Sequence, residues 1–136
     1  MNTSNAVTTH DADEDSRNQN IKIYLNGDIV HRDEAKVSVY DSGFMLGDGM
    51  WEGMRLYEGV WAFFDEHMDR FFESCKAVSL DVGMDRAGIL EALNKTTAAN
   101  DMHSDVHCRL MLTRGVKVKP FQHPSLSRSG PTLVII

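Results

Sequence analysis

Three arginines mark where this sequence could handle anions: Arg70, Arg109 and Arg114. A guanidinium is planar, always charged and rich in donors, so it holds a carboxylate or a cofactor phosphate better than an ammonium does. Arg70 lies one turn into a segment whose apolar residues Met68, Phe71, Phe72, Cys75 and Val78 recur at helical spacing. From its position alone it could equally pair with Glu66 or Asp69 on a solvated face. Arg109 sits inside the alternating run 106–113 and Arg114 just past it. Either could receive a substrate carboxylate, or face water on a strand edge. A glycine-rich stretch, residues 43–53, can bring backbone N–H groups close to a ligand. Its aromatics Phe44 and Trp51, with Tyr40 before it and Gly53 at its end, could line a pocket for an apolar side chain.

Other chemistry finds less support. His103, His107 and Cys108 suggest zinc, but residues 107 and 108 point to opposite sides of a strand and no second cysteine is near. Ser42 lacks a nucleophile-elbow pattern. Asp48, between glycines, reads as a turn residue, and Cys75 as core.

The elements that must position these groups follow from patterning. Ile21, Ile23 and Leu25 alternate as a strand, Asn26-Gly27 is a type I′ hairpin signal, and residues 28–31 return. Val37 and Val39 suggest another short strand, followed by a loop over residues 40–49. Residues 50–57 alternate again, Glu58-Gly59 turns the chain, and residues 60–64 return. Asp65 is the expected cap of the helix carrying Arg70, and Asp85 that of a second helix with Ile89, Leu90 and Leu93 inward. In the strand 106–113, Val106, Cys108, Leu110 and Leu112 share one face and His107, Arg109, Met111 and Thr113 the other. Residues 116–131 read as loop and Leu133 opens an apolar strand, which needs neighbours to cover it.

Composition bounds the class. With 136 residues, 42% hydrophobic and 25% charged, the chain is an ordinary single domain in size and make-up, not a collagen or a disulfide scaffold. The polar residues 1–20 bury too little to offset the entropy of ordering and read as a disordered arm. Acids outnumber bases there and in the remainder, giving a net charge of −6, which disfavours nucleic acid as a partner. No run approaches the roughly 20 apolar residues of a membrane span. Two cysteines without a CxxC fit a reducing, cytoplasmic setting.

The order of motifs carries a resemblance. Tyr24-Leu-Asn-Gly27, the run Ser38 to Tyr57, Asp65-Glu-His-Met-Asp-Arg70 and Arg109-Leu-Met-Leu-Thr-Arg-Gly115 resemble, in order and spacing, the fold-type IV (class IV) pyridoxal-phosphate aminotransferases. That group includes branched-chain and D-amino-acid aminotransferases and aminodeoxychorismate lyases. The likeness spans residues 21–136, the group's small N-terminal domain. It implies an α+β fold, an antiparallel sheet with two helices on one side. It implies pyridoxal 5'-phosphate as cofactor, with Arg70 on its phosphate. It matches Arg109 to the carboxylate-binding arginine of branched-chain enzymes and Arg114 to that of D-amino-acid enzymes. It places Phe44, Trp51 and Gly53 on the substrate side. Glu52-Gly53-Met54-Arg55 is similar to the branched-chain version, although Leu46 stands where many of those enzymes have a tyrosine. The implied activity is transamination between an aliphatic amino acid and 2-oxoglutarate in a homodimer.

The resemblance places the Schiff-base lysine in a second domain, beyond Ile136. The lysines at hand, Lys22, Lys36, Lys76, Lys95, Lys117 and Lys119, do not occupy that position, and most read as solvated. The expectation is an inactive fragment carrying phosphate and substrate contacts, with no catalytic residue and no metal ligand of its own. A lyase of the aminodeoxychorismate type shares the same motifs, and a non-enzymatic short module of the same fold is the other reading.

Overall fold

The structure, a computed structural model, describes residues 15–136. Most of the arm reading, residues 1–14, lies outside the described residues. Residues 15–20 depart from it. Ser16–Asn18 form a 3-10 turn capped by the Asp15 side chain. Arg17 donates from that turn to the carbonyls of Ser104 and Asp105 at 3.0 and 3.1 Å. One long side chain reaching two distant carbonyls ties down a segment that composition marks as free.

Six strands form one antiparallel sheet: β1 (Lys22–Leu25), β2 (Asp28–His31), β3 (Gly49–Tyr57), β4 (Val60–Trp61), β5 (Val106–Thr113) and β6 (Thr132–Ile135). Their order across the sheet is β2-β1-β6-β5-β3-β4. Asn26 and Gly27 both take positive φ, 51° and 103°, as the β1–β2 hairpin turn requires. The apolar C-terminal strand is central: β6 pairs with β1 on one side and β5 on the other, and its Leu133 and Ile135 are buried.

Two long helices, α2 (Phe64–Ala77) and α3 (Arg86–Ala99), pack against one face of the sheet. The core lies between them: Met68, Phe71 and Cys75 from α2, Ile89 and Leu93 from α3, and Met54, Leu56, Cys108, Leu110, Leu112 and Ile135 from the strands. The other face, with His107, Arg109, Met111 and Thr113 from β5, carries no helix of that length. The α+β fold with both helices on one side is therefore the one expected. Asp85 caps α3 as read, its carboxylate accepting from Gly88 N–H.

Several local expectations fail. Val37 and Val39 form no strand; both are exposed, with no neighbour to pair with. The glycine-rich loop contains a short helix, α1 (Ser42–Leu46), started by Asp41 and stopped by Gly47 in the left-handed region. Asp65 does not cap α2. Phe63 does so in backbone only, at φ 54°, because β4 lasts two residues and the chain must turn sharply into the helix. Two glycines of the stretch serve packing, not ligand approach. A Cβ on Gly49 would meet Leu112 O at 2.5 Å, and one on Gly43 would meet the Thr113 methyl at 2.3 Å.

Candidate functional site

β3 carries two of the candidate residues, Trp51 and Gly53, and much of its outer edge is open. Only Leu56 and Tyr57 pair with β4. The Arg55 carbonyl points outward, accepting from Ala62 N–H at 2.9 Å. Peptide direction alternates along an antiparallel strand, so the peptide groups of Trp51 and Gly53 point the same way, where no strand covers them. Side chains alternate as well: Met50, Glu52, Met54 and Leu56 face the helices, and Trp51, Gly53 and Arg55 face the bare side.

On the helix side, Glu52 is buried at 5% exposure and gathers two partners from α2. Arg70 donates Nε to Oε1 at 2.7 Å and Nη2 to Oε2 at 2.6 Å. His67 Nδ1 stands 2.7 Å from Oε2. His67 and Arg70, three apart on a helix, present one face to the strand. The Arg70 bonds hold the Glu52 carboxyl below its usual range; burial pushes it up, and the His67 bond adds to the lowering. Arg70 is itself 65% exposed, and its Nη1 makes no hydrogen bond among the described residues. The guanidinium is thus fixed along one edge and offers the other to solvent beside the free strand edge.

Glu52 was not singled out from the sequence. The signal was present: the alternation that makes Met50, Met54 and Leu56 internal makes Glu52 internal too, and a buried carboxylate needs a cation. Its depressed titration has a stability consequence. Glu52 contributes fully above the unfolded glutamate value of about 4.3, and the contribution is lost as pH falls through the lower folded value. Wild type and Glu52→Gln should therefore differ in urea midpoint at pH 6 and converge as the pH drops below about 4. A difference that stays constant over that range contradicts the pairing.

On the bare side, Arg109 lies over Trp51, its Cζ 4.7 Å from the ring centroid. Gly53 stands opposite Arg109 in register, and a Cβ there would meet His107 Nε2 at 3.1 Å. The glycine keeps space open among Trp51, His107 and Arg109. Phe44 shares this face but lines a separate apolar hollow of about 250 Å³ with Val37, Met111, Val134 and Ile136. Arg70 and Arg109 do not share one cleft, since the sheet runs between them. They meet only at the border, where Arg70 flanks the open edge from one face and the Trp51–Arg109 stack from the other.

Arg114 is spent elsewhere. Its Nε donates to Asp48 Oδ2 at 2.7 Å and its Nη2 to Asp48 Oδ1 at 3.2 Å. Nη1 and Nη2 also donate to the carbonyls of Ser79 and Val78, each at 2.8 Å. With its side chain 13% exposed and nearly every donor used, it locks the end of α2 to the β3 approach. Asp48 likewise holds this clamp and is more than a turn residue.

Lys117 also departs from the solvated reading. It is buried at 2% exposure and directs Nζ to the carbonyls of Gln122 and His123 at 3.4 and 3.2 Å. It braces the loop over residues 116–131 and reaches neither face of β3. The other lysines are exposed.

Comparison with known proteins gives a consistent picture. The family profile for amino-transferase class IV matches residues 49–136. The branched-chain-amino-acid aminotransferase-like protein 1 of Arabidopsis thaliana is 40% identical over 119 residues, covering 88% of this chain and 21% of that protein. A putative branched-chain-amino-acid aminotransferase of Methanocaldococcus jannaschii is 41% identical over 96 residues, 71% of this chain and 33% of that one. The branched-chain aminotransferase of Thermoproteus uzoniensis, solved with norvaline, superposes at a TM-score of 0.70 with 26% identity, over 86% of this chain and 40% of its own. The chain thus spans a fifth to a third of these curated relatives' lengths. The fold is that of the small domain of the fold-type IV enzymes. No helix is long and apolar enough to cross a membrane among the described residues.

Proposed function

The chain belongs to the amino-transferase class IV family, and from that premise we propose that it supplies the substrate-side portion of a pyridoxal-phosphate-dependent aminotransferase. The substrates of the intact protein are an aliphatic, branched-chain-like amino acid and 2-oxoglutarate. The protein works as a homodimer in the cytoplasm. One observation carries the reading: a strand edge with unpaired peptide groups, flanked by a half-free guanidinium on one face and an arginine–tryptophan stack on the other.

The side chains at hand fit the phosphate end of the cofactor. Arg70 would hold it through Nη1, the edge that Glu52 leaves free. When bound, pyridoxal phosphate supplies an electron sink that stabilises negative charge at the substrate's Cα. Glu52 and His67 fix the Arg70 guanidinium in place beforehand. Arg109, steadied over Trp51, receives a substrate carboxylate. The Trp51 ring shields one side of an aliphatic chain from water, and Gly53 leaves room for it. The buried Lys117 is held by the carbonyls of Gln122 and His123, and on this reading the chain contributes contacts and not the amine that takes the aldehyde.

The test is an assay of the intact protein with pyridoxal phosphate. Transfer of the amino group from leucine to 2-oxoglutarate supports the reading. Pyruvate release from aminodeoxychorismate without amino transfer replaces it with the lyase.

A further inference from the structure

A hollow of about 910 Å³ opens between β1 and β5, with Thr97 and Asn100 of α3's end among its walls. Two side chains take up peptide groups at its border. Asn100 accepts from Lys22 N–H at 2.7 Å and donates to the Lys22 carbonyl at 2.8 Å. Arg17 donates to the carbonyls of Ser104 and Asp105 just before β5. The rim is mixed in charge with cations in excess: Arg17, Lys22, Arg32, Arg55 and Arg109 against Asp15 and Asp105. Asp15 is already engaged with Arg17 at 2.7 Å. Arg55 and Arg109 are diagonal neighbours on the bare face of β3 and β5, both exposed, with no ion-pair partner among the described residues.

The complementary charge is in the chain itself. Residues 1–14, outside the described residues, hold Asp11, Asp13 and Glu14 and no lysine or arginine. They join the described chain at Asp15, on the rim of the hollow, where the Arg17 bonds fix the join to the start of β5. An extended chain covers up to about 3.5 Å per residue, so four residues reach roughly 14 Å from that point. We propose that the basic rim is an interaction surface for the chain's own acidic segment, Asp11 to Glu14, whose carboxylates pair with Arg55 and Arg109. Each exposed pair is weak and screened by salt. Three carboxylates tethered at the rim meet the two guanidiniums at high effective concentration, which sums the weak pairs. Asp105 opposes the segment but is outnumbered at the rim. A free anion then reaches the Arg55–Arg109 pair only in competition with the segment, whatever reaction the intact protein carries out.

The experiment compares the 136-residue chain with its triple variant Asp11→Asn/Asp13→Asn/Glu14→Gln, following the Arg55 and Arg109 side-chain N–H signals by NMR. The two chains should differ at these signals in about 20 mM salt and converge by about 500 mM, as screened exposed pairs must. Sulfate, added as a probe anion, should move both signals at about tenfold lower concentration in the triple variant. Signals that coincide at low salt, a difference that persists at high salt, or equal sulfate response in the two chains overturns the proposal. Dilution separates the remaining occupant: a difference that is unchanged on tenfold dilution supports pairing within one chain, and one that fades assigns it to a second copy and overturns the tethered contact.

Discussion

Arg114→Ala is expected to destabilise the domain by about 3 kcal/mol, lowering its melting temperature by roughly 10 °C. The substitution removes two bonds to Asp48 and two to the carbonyls of Val78 and Ser79 at the end of α2. It strands Asp48, whose side chain is 22% exposed, without its cation. It also removes a cation from the negative end of the α2 dipole, leaving Lys76 of the last turn there, where a cation contributes up to about 2 kcal/mol in partly buried geometry. Removing both partners, as in Asp48→Ala/Arg114→Ala, should cost less than the two single changes added together. Calorimetry on the three variants decides the matter. An unchanged melting temperature, or single losses that simply add in the double variant, would contradict the clamp.

The second large effect concerns the cofactor. Arg70→Ala should weaken pyridoxal phosphate binding to the chain by about tenfold to a hundredfold, read by quenching of tryptophan fluorescence. Arg70→Lys should recover little of it, because an ammonium cannot both bridge the two Glu52 oxygens and turn a second edge outward. Glu52→Gln should weaken binding in the same direction by a smaller factor, through loss of preorganisation. Equal affinities in wild type and Arg70→Ala refute the phosphate contact.

Much of the frame is legible in the residues themselves. The alternation over residues 106–113 names both faces of β5, and it correctly puts Arg109 and His107 opposite the core. Asn26-Gly27 and Asp85 act locally, through φ preference and a side-chain cap, so they read true. The failures have physical causes. The glycines at 43, 47 and 49 suggest a loop, yet Asp41 followed by Gly47 are a helix start and stop. Phe63 caps α2 because β4 ends early, a constraint set by tertiary packing and not by the helix sequence. Arg114 finds partners 66 and 36 residues away, which no local pattern reveals. The division of Arg70 and Arg109 between the two faces also depends on where α2 docks, which motif order alone does not show.

The central claim is that Arg70 turns its free edge to the cofactor's phosphate at the border of β3. Nitrogen–proton NMR of the arginine side chains tests it most directly, as pyridoxal phosphate is added to the chain. The account predicts that the Arg70 guanidinium signals shift in a saturable way, that pyridoxal without phosphate leaves them unmoved, and that borohydride afterwards marks no single lysine. Unmoved Arg70 signals at saturating cofactor, or stoichiometric marking of one lysine, would contradict it.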